Sequence, residues 1–325
     1  MDALLANLLS PPILFFFLGI LAVLVKSDLE IPQTTVRFLS LYLLFSIGFR
    51  GGAELRHAGL SGEIVGTLGL AILLAIVQPL WVFALLRRKM GVPNAAAIAA
   101  CYGSVSAVTF ITAVSFLQQR QEPFGGHMVA AMALMESPAI IVGVFLARRF
   151  GAQPVPAEGT AGRRHRLRDL LHEALTNGSV LLIVGSLLIG YLSSPVETED
   201  VRHFTDFIFK GFLCFFLLEM GMLATKRIGV LRNAGFTPLL VALLVPLAGA
   251  LTAWLVGAWL PIPLGDRLLL MVLGASASYI AVPAALRISL PDADPGLYVP
   301  MALGLTFPFN VLVGIPLYYL LLTSM

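Results

Sequence analysis

Hydrophobic and polar positions alternate along this chain in long blocks rather than at the periods of soluble helices or strands. Apolar runs fall at 11–25, 32–49, 63–86, 94–117, 124–147, 177–193, 203–224, 236–260, 266–289 and 296–323, with short polar connections between them. A membrane-spanning helix needs roughly 20 predominantly apolar residues, so the pattern predicts ten transmembrane helices. One polar stretch is longer than the rest. It runs from Arg148 to Thr176 and holds Pro154, Pro156 and the basic run Arg163–Arg168. It reads as a solvated linker, with an amphipathic surface helix over 167–175 as the other reading. The expected organisation is 1–147 as a first five-helix unit, 148–176 as linker and 177–325 as a second unit.

Two of the apolar runs are interrupted in a similar way. Residues 101–109 read Cys-Tyr-Gly-Ser-Val-Ser-Ala-Val-Thr, and residues 274–283 read Gly-Ala-Ser-Ala-Ser-Tyr-Ile-Ala-Val-Pro. Hydrocarbon tolerates unwound backbone only where protein or a water-filled cavity satisfies the freed N–H and C=O groups. Matching breaks in two halves point to discontinuous helices 4 and 9 around a midplane site. Other pairs repeat in the same order: Ile47-Gly48-Phe49 with Met220-Gly221-Met222, Glu122-Pro123 with Asp294-Pro295, and Pro138 with Pro308. Because each half holds an odd number of spans, the second half is expected to lie inverted relative to the first.

Composition and charge refine this picture. The chain has 325 residues, of which 58% are hydrophobic and 12% charged, and a mean hydropathy of +0.91. Soluble domains carry about 25% charged residues, so this is an all-α integral membrane protein. Its net charge of +3 comes mainly from loops and gives no reason to expect nucleic-acid binding. Connections 1–2, 3–4, 5–6, 7–8 and 9–10 carry most of the Lys and Arg, including Arg87, Arg88, Lys89, Arg148, Arg149 and the linker's basic run. The opposite side holds Arg50, Arg56, Arg120, Arg202 and Arg267. The positive-inside rule therefore expects an inner (plasma) membrane protein with both termini outside and 148–176 in the cytoplasm. Cys101 and Cys214 lie inside apolar runs and read as small buried side chains.

The chemistry concentrates at the two breaks. Each leaves a half-helix whose first N–H groups lack intrahelical partners and carry partial positive charge. Such ends hold anions without a cationic side chain. The expected substrate-binding residues are Gly103, Ser104, Val105 and Ser106 at the first break and Ser276, Ala277, Ser278 and Tyr279 at the second. The plainer reading is that these serines cap kinks or allow close helix packing. Glu136 lies deep in the fifth span, where an ionisable side chain is costly and suggests a function. It is expected to carry a coupling sodium ion or proton, together with Thr109, Ser278 and the neutral oxygen of Asn310. The alternative is a neutral, hydrogen-bonded Glu136 serving structure. A sodium ion would sit at Glu136, Ser106 and Ser278. Glu219 is expected near the membrane interface. No His-Glu-x-x-His, Gly-x-Ser-x-Gly or Walker pattern occurs, so no enzyme and no cofactor beyond the coupling ion is expected.

At these residues the chain resembles the sodium-dependent bicarbonate permease family of bacteria and cyanobacteria. The likeness is carried by Gly103–Ser106, by Met220-Gly221-Met222 with Arg227-Ile228-Gly229, and by Ser276–Pro283 with Leu286-Arg287, Pro291, Asp294-Pro295, Tyr298 and Pro316. It implies core and gate domains, a homotrimer, bicarbonate cotransported with sodium and often a PII-like cytoplasmic regulator. Tyr279 stands where the family pattern carries an acid, and Glu136 where it carries an aspartate. The expectation is a secondary active transporter importing bicarbonate or a related small anion by ion-coupled alternating access. An organic-anion symporter of similar architecture, and a receptor or scaffold that has lost coupling, are the alternatives.

Overall fold

The computed structural model describes residues 8–59, 61–151, 178–231 and 235–324. Of the expected linker, 152–176 lie outside the described residues, including the amphipathic stretch considered above. The described residues are helical, with no strand. In order they form α1 (Pro11–Leu24), α2 (Gln33–Ala58), α3 (Gly62–Met90), α4 (Val92–Gly103), α5 (Ala107–Gln119), α6 (His127–Phe150) and α7 (Gly178–Leu192). There follow α8 (Pro195–Arg202), α9 (Phe209–Leu231), α10 (Phe236–Gly257), α11 (Leu264–Ala275), α12 (Ala281–Ser289), α13 (Pro295–Pro300), α14 (Phe307–Phe309) and α15 (Ile315–Thr323).

Seven stretches are long and apolar enough to cross a membrane, and Pro11–Leu24 and Val180–Leu192 are shorter apolar helices. This is a multi-pass α-helical membrane protein. The stretch Val92–Gln119, containing the first break, is 94% buried over its most apolar window, whereas Gly62–Met90 and Phe236–Gly257 are 39% buried. The interrupted stretch is therefore wrapped by other helices, as its unpaired backbone requires.

Local sequence sets the boundaries. Ser61 caps α3, its hydroxyl accepting from the Ile64 N–H at 3.3 Å, and Gly91 at φ 76° turns the chain from α3 into α4. A capping box of Ser194 with Glu197 starts α8. The last span is less regular than its apolar run suggests. Wider π-type turns occupy Met301–Thr306 and Asn310–Gly314, close to Pro300, Pro308 and Pro316, whose missing N–H groups break the ordinary ladder.

Glycines let two helix pairs approach backbone to backbone. A Cβ on Gly19 would lie 3.0 Å from the Leu218 carbonyl carbon, and one on Gly221 would lie 3.1 Å from that of Phe16, so α1 and α9 are in intimate contact. Gly52 and Gly190 play the same part between α2 and α7, facing Leu187 and Phe49. Such small-residue seams are how helices gain packing energy in lipid. Gly48 and Gly221, paired by sequence, both lie in these seams.

Candidate functional site

The two breaks touch. The Ser278 N–H donates to the Cys101 carbonyl at 2.8 Å, and the Ser106 N–H donates to Ser276 Oγ at 3.1 Å. Ser106 is extended (φ −103°, ψ 110°) and caps α5, its hydroxyl accepting from the Thr109 N–H at 3.2 Å. Ser278 acts similarly on α12, accepting from the Val282 N–H at 3.3 Å. Pro283, in the first turn of α12, has no N–H to leave unpaired.

Beside this contact lies a cavity of about 60 Å³, several times the roughly 10–15 Å³ that one water needs. Its wall includes Val105, Ser106, Ser278, Tyr279, Glu136 and, from α2, Ser40. Leu44 and Ile183 add an apolar side from α2 and α7. Among the described residues no Lys, Arg or His lines it, and the one acid on the wall is Glu136. Positive potential therefore comes from the starts of α5 and α12.

The expected residues divide on closer inspection. Ser278 uses a lone pair to cap a helix, which leaves its hydroxyl proton available to a guest, whereas Ser106 caps α5 in the same way and also hydrogen-bonds the Tyr279 side chain. Ser276 has spent its proton: its hydroxyl donates to the Leu273 carbonyl at 3.0 Å while accepting from Ser106. Ser104 is fully buried off the cavity wall, and its hydroxyl has no partner among the described residues. Gly103 serves packing, since a Cβ there would lie 2.5 Å from Pro79 Cδ. Ala277 and Thr109 are buried behind the wall. Tyr279 presents its ring edge-on to Phe307 at 5.8 Å, and its hydroxyl donates to Met220 Sδ at 3.8 Å.

Asn310 does not reach the cavity. Its amide donates to the Ala275 carbonyl at 2.8 Å, and its oxygen accepts from the Tyr318 hydroxyl at 3.1 Å. The oxygen expected to meet an ion is thus engaged by Tyr318, while the amide N–H braces the second break. Glu219, expected at the interface, is 5% exposed on α9.

Sequence reasoning passed over Gln78, a lone amide next to Pro79 within α3. It donates to the Tyr102 carbonyl at 2.6 Å and to the Gly274 carbonyl at 2.8 Å, so one side chain holds the ends of both α4 and α11. Also passed over is His127, buried beside Asp266, with Nε2 and Oδ2 3.6 Å apart. Asp266 in turn accepts from the Gly125 N–H at 2.6 Å.

A family model for the Na+-dependent bicarbonate transporter superfamily matches residues 11–323, nearly the whole chain. The chain belongs to this superfamily. A search of curated proteins found no match. Membership makes this bicarbonate-transporter relative a transporter and not an enzyme.

Proposed function

We propose that this chain is a secondary active transporter that imports bicarbonate, or a related small anion, by ion-coupled alternating access. One observation carries the reading: the starts of two half-helices, the hydroxyls of Ser106 and Ser278 and the carboxyl of Glu136 converge on one small cavity. The anion would meet the first N–H groups of α5 and α12 and the hydroxyls of Ser106 and Ser278. Preorganised donors of this kind hold negative charge at little reorganisation cost. A bare Glu136 carboxylate on the same wall would repel the anion, so Glu136 is favourable only with sodium or a proton on it. That is a physical reason for coupling: the cation and the anion each make room for the other.

The cavity's size favours a small anion over a bulky organic one. In this reading the protein has ten spans in two inverted five-helix repeats. The spans α3–α6 and α10–α15 form the core that carries the site, and α1, α2 and α7–α9 form the gate. The paired glycine seams α1–α9 and α2–α7 support that symmetry, since each joins a span of one half to a span of the other. Both termini lie outside, and 148–176 faces the cytoplasm. The end of the cavity near Ser40 then opens inward. The homotrimer and the PII-like regulator rest on the family resemblance.

Purified protein in liposomes tests the proposal. Labelled bicarbonate should accumulate inside under a sodium or a proton gradient and not without one. Binding without accumulation under either gradient would leave a receptor and overturn transport.

A further inference from the structure

The C-terminal ends of half-helices carry partial negative charge and unpaired carbonyls, and in secondary transporters such ends commonly coordinate the coupling cation. Here most of those carbonyls already accept a hydrogen bond. Cys101 O accepts from the Ser278 N–H, Leu273 O from the Ser276 hydroxyl, and Ala275 O from the Asn310 amide. Two more, Tyr102 O and Gly274 O, belong to different halves of the chain and share one donor group, the Gln78 amide, at 2.6 and 2.8 Å.

The seat is closely fitted. Gln78 is 2% exposed. A Cβ on Gly249 would lie 2.9 Å from Gln78 Nε2, and one on Gly274 would lie 2.7 Å from the Gly249 carbonyl oxygen. Its neighbour Pro79 packs on Gly103, the last residue of α4. An amide is the neutral group suited to this place. It offers two N–H donors on one nitrogen, so it can satisfy two converging carbonyls with no charge to desolvate.

We propose that Gln78 is a positioning residue of the transport site: its amide takes the place of a cation between the ends of α4 and α11, and so fixes the two serine-capped helix starts at the cavity. This rests on the transport reading for its consequence, but not for its geometry. It follows that a neutral donor holds Tyr102 O and Gly274 O at the place where a cation would otherwise bridge them.

Two variants test this. Gln78→Leu removes both donors and strands two buried carbonyls. A misplaced site should raise the KM for bicarbonate about tenfold, the effect of losing a buried hydrogen bond to its acceptor, with the maximal rate changed far less. Gln78→Glu keeps the shape but places a carboxylate beside two carbonyls, an all-oxygen set that suits a hard cation. In a Glu136→Gln background, melting should be unaffected by exchanging choline for sodium when Gln78 is present, and should shift upward with sodium in Gln78→Glu. The proposal is overturned if Gln78→Leu keeps its KM within about twofold, a change too small for a lost buried hydrogen bond. It is equally overturned if Gln78→Glu gains no response to sodium. If Gln78→Leu does not fold, the sodium response alone decides. Absence of bicarbonate uptake by the unaltered protein would refute transport while leaving the melting test of Gln78 intact.

Discussion

Gly126→Ala probes the contact between the start of α6 and α2. Gly126 precedes α6 and lies against Gly51 of α2. A Cβ at Gly126 would stand 2.9 Å from the Gly51 carbonyl carbon and 2.9 Å from Glu54 Cβ, with the Gly51 oxygen nearer still, whereas ordinary contact begins at 3.4 Å. At least half an ångström must be found (3.4 − 2.9 Å), and the obstacle is backbone, which has no rotamer to change. Over-packing of this kind costs about 1–3 kcal/mol. In the proposed alternating-access cycle, with the Ser40 end opening inward, gate and core would part here in the outward-open state, so the cost would fall on the inward-open state alone. The corresponding population shift is about 5- to 150-fold.

Ser40→Cys supplies the readout, because Ser40 lines the cavity while Cys101 and Cys214 are buried. An impermeant maleimide added from the cytoplasmic side should label Ser40→Cys at least about fivefold more slowly once Gly126→Ala is present, the lower bound of that shift. Gly52→Ala is the control: its Cβ would lie 2.8 Å from the Leu187 carbonyl carbon, inside the α2–α7 seam. It should lower the melting temperature without slowing the labelling. Equal or faster labelling in Gly126→Ala would refute the reasoning.

Other expectations follow from the same geometry. Glu136→Gln should abolish gradient-driven uptake while leaving folding intact, and unchanged coupled uptake would remove Glu136 from the mechanism. Gly221→Ala would place a Cβ 3.1 Å from the Phe16 carbonyl carbon, with an expected loss of about 1–3 kcal/mol in α1–α9 packing, seen as a lower melting temperature. Ser276→Ala removes a hydroxyl that makes two buried hydrogen bonds. It should destabilise by about 1–3 kcal/mol through the stranded Ser106 N–H, yet lower anion affinity less than Ser278→Ala does.

The sequence exposed a multi-pass helical chain and both breaks, though not a confirmed count of ten spans, because each signal is local. Twenty apolar residues in a row, or Ser-x-Ser within them, means the same thing whatever surrounds it. Thus 94–117 became Val92–Gln119 with its break at Ser104–Ser106. What stayed hidden depended on tertiary approach. Gln78 gains its meaning only when α3 passes both α4 and α11, and nothing in residues 63–86 states that. Asn310 was read for its oxygen, but the fold turns its N–H₂ toward Ala275 and gives the oxygen to Tyr318. The four serines of the breaks look equivalent in sequence. Their surroundings separate Ser278, with a free proton, from Ser106, which also bonds Tyr279, Ser276, whose proton is spent, and Ser104, which lies off the cavity wall.

The most direct test of the account is bicarbonate-dependent melting of the purified protein beside the Ser106→Ala/Ser278→Ala double variant. A ligand that binds only the folded state at about 100 times its Kd adds roughly 2.7 kcal/mol. The unaltered protein should therefore melt higher with bicarbonate, and the double variant should not respond. An equal rise in both would place the anion elsewhere and contradict the account.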